Sequence, residues 1–108
     1  MPFHNSENRA EKELIPGIRA RTFWGDKMLT AIVDLDANAV LPEHSHPHEQ
    51  ICVVLEGELE FHLGDETKIV RPGDVVVIPG DVPHAVNVGN APARVIDTFS
   101  PVREDYKY

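Results

Sequence analysis

Turn-forming residues cut this chain into short apolar runs before any run reaches the length of a globular helix. Nine prolines and seven glycines do most of the cutting, with Asn and Asp at other breaks. Apolar residues do not recur at the 3.6-residue spacing of an amphipathic helix over any long window. Runs rich in β-branched residues and bounded by turn formers read instead as strands. They are predicted over residues 18–24, 28–34, 50–55, 58–63, 67–70, 75–78, 84–88 and 93–99. Many short strands at near-regular spacing predict an all-β sandwich or barrel of jelly-roll type. The 108 residues suit one domain. It divides into an N-terminal arm over residues 1–15, extended or a short edge element, and a β domain over residues 16–108.

Two of these strands, 51–55 and 75–78, are apolar on both faces. A strand buried on both faces needs a covering layer on each side. One side is the domain interior. The other is covered by the N-terminal segment or by a second copy, so a homodimer is expected. Acidic residues outnumber basic ones 18 to 10, giving a net charge of -8. That balance argues against nucleic acid or an anionic membrane as partner. A small anionic ligand stays open, because a local metal ion or arginine overrides the global field. Cys52 is the sole cysteine, so no internal disulfide can form. With no signal-peptide pattern and no run of membrane-spanning length, a cytoplasmic protein is expected.

The densest chemistry lies in His44-Ser45-His46-Pro47-His48-Glu49-Gln50. In an extended chain, residues two apart face the same way. His44 and His46 therefore converge, Gln50 shares their parity, and His84 closes the group from another strand start. His48 shares the parity too and is the rival to Gln50. Imidazoles with an amide oxygen suit one divalent ion of the Ni, Zn, Fe or Mn type. A neutral amide leaves the ion its full charge, which favours an anionic oxygen ligand. Arg19 and Arg21 share one face of the first predicted strand and are candidate anion binders. His4 and His62 read as surface residues and Cys52 as a buried structural thiol. Trp24 reads as core, subunit interface or pocket wall, in that order.

These residues resemble the two motifs of the cupin superfamily, whose domain is a jelly-roll β-barrel, or double-stranded β-helix. His44, His46, Gln50 and Gly57 fill the first motif, with Gln50 in a glutamate slot and Asn38 in that of the leading glycine. Gly73, Pro79 and His84 fill the second, with Asp81 in place of its inner glycine and Asn87 one residue early. The run from Pro42 to Gln50 and the ending from Asp97 to Asp105 resemble the pectin-degradation cupins, which open 4,5-unsaturated uronates to linear keto acids; that activity would serve pectin or alginate breakdown. That resemblance implies His44, His46, Gln50 and His84 as metal ligands. It implies Asp97 as the catalytic acid or base, with Phe99 and Arg103 on the substrate side and Arg103 pairing a sugar-acid carboxylate. Asp97 and Phe99, two apart on the last predicted strand, share a face. Rival readings are a non-haem metal dioxygenase, a cupin sugar isomerase, and a non-catalytic small-molecule binder, because one fold hosts many functions.

Overall fold

The structure is a computed structural model and describes residues 2–108. Ten strands form two antiparallel sheets. In chain order they are β1 (Lys12–Ile15), β2 (Ile18–Trp24), β3 (Leu29–Leu35), β4 (Val40–His44), β5 (Glu49–Glu56), β6 (Leu59–Leu63), β7 (Glu66–Val70), β8 (Val75–Ile78), β9 (His84–Val88) and β10 (Ala93–Ser100). Single 3-10 turns lie at Ser6–Asn8 and Glu104–Tyr106. The larger sheet runs β1-β2-β3-β10-β5-β8 and the smaller β4-β9-β6-β7. The two sheets enclose one core, the jelly-roll barrel that the strand spacing predicts.

Strict alternation builds that core. In β3 every second residue, Leu29, Ala31, Val33 and Leu35, is buried. The inward residues of β2, β5 and β10 meet Leu59, Phe61 and Val86 of the smaller sheet in one cluster. Phe99, Ile18, Leu29 and Leu59 are fully enclosed, each contributing about 1.5–3 kcal/mol of burial.

One strand departs from the sequence expectation, and the arm takes one of the two forms expected of it. The last four residues of the expected arm are β1, the edge strand paired to β2. β4 has no predicted counterpart, and it is the edge of the smaller sheet, where Pro42 costs no ladder bond. Arg19 and Arg21 do share a face, but it is the outer one, since Ile18, Ala20 and Thr22 fill the inner positions of β2.

The two glycine slots occupied by other residues keep their geometry. Asn38 and Asp81 stand at φ 63° and 66°, in the left-handed region that Asn and Asp adopt most readily among non-glycine residues. Gly57 admits no substitute: it has φ +81°, and a Cβ there would sit 2.6 Å from the Pro92 carbonyl oxygen. The outer faces of β5 and β8 are open. Ile51, Leu55, Val75 and Val77 are 41–56% exposed. The N-terminal segment does not cover them, because β1 and β8 are opposite edges of the same sheet.

Candidate metal centre

Four strands bring their polar side chains to one end of the barrel. His44 closes β4 directly opposite His84, which opens β9. Gln50 at the start of β5 stands opposite Phe99 near the end of β10, and Cys52 stands opposite Asp97. His46 lies in the connection between β4 and β5. The loop 79–83 docks on this connection: Asp81 N–H donates to the His46 carbonyl at 2.8 Å. Gly80 makes the docking possible, since a Cβ there would lie 2.5 Å from the Pro47 carbonyl oxygen. The motif reading passed over Gly80, because the approach of two loops distant in sequence leaves no local pattern.

His44, His46 and His84 each offer a ring nitrogen, and these atoms lie within 4.8 Å of one another. Donors bound to one ion at about 2.1 Å stand roughly 3–4 Å apart, so closure needs little movement. Each ring is oriented by a backbone carbonyl two residues away. His44 Nδ1 bonds Pro42 O at 2.9 Å, His46 Nδ1 bonds His48 O at 3.1 Å, and His84 Nδ1 bonds Val82 O at 2.9 Å. A carbonyl only accepts, so Nδ1 carries the proton and each Nε2 presents a lone pair. Burial lowers the pKa of His46, and it lowers that of His84 to about 4. Both rings are therefore neutral near pH 7, as ligands must be.

Two observations fit a cation here. The buried Nε2 of His84 has no partner. His46 Nε2 lies 3.0 Å from Gln50 Oε1; with Nδ1 protonated, this sets lone pair against lone pair. Either a cation that both coordinate relieves that contact, or the amide turns over to donate. The residues present therefore fit the divalent ion. His48 lies outside the histidine group. Its ring packs beside His46 and Phe99 at 5.6 and 6.4 Å, and its carbonyl orients His46.

A cavity of about 850 Å³, open mouth included, extends from this site into the barrel. Its walls include His44, Gln50, His84, Asp97, Phe99 and Arg103. Asp97 Oδ1 is buried without a partner. Burial raises the Asp97 pKa above the usual carboxylate value, and the side chains of Gln50 and Cys52 and the charge of Arg103 offset part of that rise. Cys52 is a buried free thiol beside Asp97, and burial pushes its pKa far up, so it is held as the neutral thiol.

The remaining candidates lie elsewhere. Arg19 pairs with Glu11 and Asp36, and Arg21 with Glu11 and Asp34, on the outer face of the larger sheet. Neither reaches the cavity. Trp24 ends β2 at 38% exposure with the Arg9 guanidinium 5.0 Å from its ring. His4 is exposed beside Phe23, and His62 is half-buried among Glu60, Thr67 and Asn87 on the outer face of the smaller sheet.

Residues 31–99 match the family model of the cupin domain. The chain is 31% identical to the pectin degradation protein KdgF of Dickeya dadantii over 97 residues, 88% of each protein. Among solved structures it is similar to KdgF from Halomonas sp., with a TM-score of 0.90 and 30% identity, covering 95% of this chain and 97% of that one. An RmlC-like cupin from Shewanella frigidimarina superposes with a TM-score of 0.92 at 26% identity, covering 98% and 96%.

Proposed function

This chain belongs to the cupin family, and on that premise we propose that it is a metal-dependent enzyme of pectin breakdown that opens 4,5-unsaturated uronates to linear keto acids. Its likeness to KdgF over nearly the whole length supports the pathway. The observation that carries the reaction is that Asp97 and Arg103 line the same cavity as His44, Gln50 and His84.

The chemistry is an isomerisation. The proton of the anomeric hydroxyl is passed to the ring oxygen as the C1–O5 bond of the cyclic hemiacetal breaks, which leaves an aldehyde at C1 and an enol at C5. The enol then gives up its O–H proton and takes one at C4 to become a ketone. His44, His46, Gln50 and His84 would hold the divalent ion, which supplies Lewis-acid stabilisation of developing negative charge on oxygen. Asp97 moves the proton. Burial raises its pKa above the usual carboxylate value, which suits a carboxyl group that both accepts and returns a proton. Arg103 binds the substrate carboxylate through its planar fork. Phe99 walls the site and keeps water from the reacting carbons.

The test is the ultraviolet absorbance of 4,5-unsaturated galacturonate, whose conjugated alkene disappears on ketonisation. Metal-loaded protein is expected to abolish it, and metal-stripped protein to leave it. Asp97→Asn is expected to slow the loss by about 10²-fold or more with ion content unchanged. Persistence of the absorbance with fully loaded wild-type protein would rule the reading out, and oxygen uptake on the same substrate would point to the dioxygenase alternative.

The open outer face of β5 and β8 we assign to a second copy of the chain. A cluster of exposed aliphatic residues on a sheet face is where association is expected.

A further inference from the structure

Arg103 lies beyond the last strand, on an irregular segment where a long side chain is ordinarily free to sample many rotamers. Here it is confined. Its side chain is only 14% exposed. Its guanidinium carbon stands 3.8 Å from the centre of the Tyr106 ring and 5.2 Å from that of Phe99. Nε donates to Asp105 Oδ1 at 3.2 Å. The 3-10 turn Glu104–Tyr106 supplies both partners, and the Tyr106 N–H closes it on the Arg103 carbonyl at 3.0 Å. The turn is itself held from two sides. Tyr106 meets Phe99 edge-on at 5.5 Å and stacks on Tyr108 at 5.9 Å, while Lys12 of β1 lies 5.8 Å over the Tyr108 ring. Tyr106 lines the cavity together with Arg103. Among the described residues, the Arg103 hydrogen bond goes through Nε alone, and Nη1 and Nη2 take no protein acceptor.

We propose that Tyr106 and Asp105 are positioning residues. They fix the plane of the Arg103 guanidinium so that its unbonded Nη edge is presented, as a preformed fork, to a carboxylate in the cavity. Tyr106 clamps the face and Asp105 holds the Nε edge, which leaves one edge of the plane for a bidentate ligand. A fork set before binding loses less freedom when the carboxylate arrives, so the clamp acts on affinity more than on the chemical step. The clamp is made by the Tyr106 ring, which faces the guanidinium at 3.8 Å.

This inference rests on the carboxylate-substrate reading above, so the experiment pairs a substrate readout with one that needs no substrate. The first is KM and kcat on 4,5-unsaturated galacturonate. The second is the Nε–H resonance of Arg103 by NMR in the metal-loaded protein. Tyr106→Phe, which keeps the ring, is expected to retain the Arg103 resonance that Tyr106→Leu loses. Tyr106→Leu is expected to raise KM about tenfold, to leave kcat within about twofold, and to average the shifted Arg103 resonance. Asp105→Ala, at an exposed position, is expected to move KM the same way by a smaller factor and stands in if the leucine variant fails to fold. An unchanged Arg103 resonance in Tyr106→Leu, or a loss confined to kcat, overturns the proposal. If wild type turns over no unsaturated uronate while the resonance responds as expected, the functional reading falls and the positioning of Arg103 stands.

Discussion

The candidate metal site is held by backbone as much as by side chains. His44, His46 and His84 are each aimed by a carbonyl two residues away, so their mutual geometry depends on how two loops sit together. Gly80 controls that seating. A methyl group there would lie 2.5 Å from the Pro47 oxygen, inside any tolerable contact, and neither loop can yield without lengthening the bond from Asp81 N–H to His46 O. Gly80→Ala is therefore expected to cost about 1–3 kcal/mol of stability. It is expected to weaken ion binding by about tenfold or more, as loss of ligand orientation does. Gly25→Ala, with nothing within 4 Å of the new atom, is the neutral control. Thermal unfolding and calorimetric metal titration of the two variants check both statements, and equal behaviour would remove Gly80 from the account of the site.

Among the elements, the pairing of β3 with β2 and β10 carries the clearest electrostatic signature. Asp34 stands opposite Arg19 on one side and Arg94 on the other. Arg94 grips it with two bonds, at 2.8 and 3.2 Å. Hydrogen bonding to Arg94 holds the Asp34 carboxyl below its ordinary value of 3.8, against a smaller opposing effect of burial. A depressed folded-state pKa stabilises the fold above the unfolded value and ceases to do so as pH falls through the folded one. Asp34→Asn is thus expected to cost about 1 kcal/mol at neutral pH. The gap from wild type should close below pH 3.8, as followed by denaturant unfolding at a series of pH values; a constant gap would contradict it. The same ladder explains which elements were legible in the sequence. β3, β9 and β10 alternate in burial because one face is core and the other is the outer surface, and the shared face of Asp97 and Phe99 follows from that. β1 and β4 are edge strands with little burial on either face, so no alternation marks them. Parity placed Arg19 and Arg21 on one face but could not say which, because Ala20 between them and Thr22 after them are only weakly apolar.

At the scale of the whole molecule, the larger sheet is asymmetric. One edge, β1, is tied to the C-terminal segment through Lys12 and Tyr108. The other, β8, is bare, and Val75 and Val77 stand more than half exposed beside Ile51, which pairs with Val77. A second copy packing on this strip would bury the aliphatic residues that the single chain leaves in water. Each copy carries a net charge of -8, so such an association would work against mutual repulsion and would be driven by apolar burial. This fixes the sign of a salt effect. Screening weakens the repulsion without weakening the apolar contact, so the dimer is expected to tighten as ionic strength rises. An interface held by ion pairs would loosen instead. Sedimentation equilibrium is expected to give twice the 12.0 kDa chain mass, with a dissociation constant that falls between low and moderate salt. Val77→Glu is expected to give a monomer that retains its metal, because β8 contributes none of the ligands. A wild-type monomer at every salt concentration would show that the exposed strip has some other purpose.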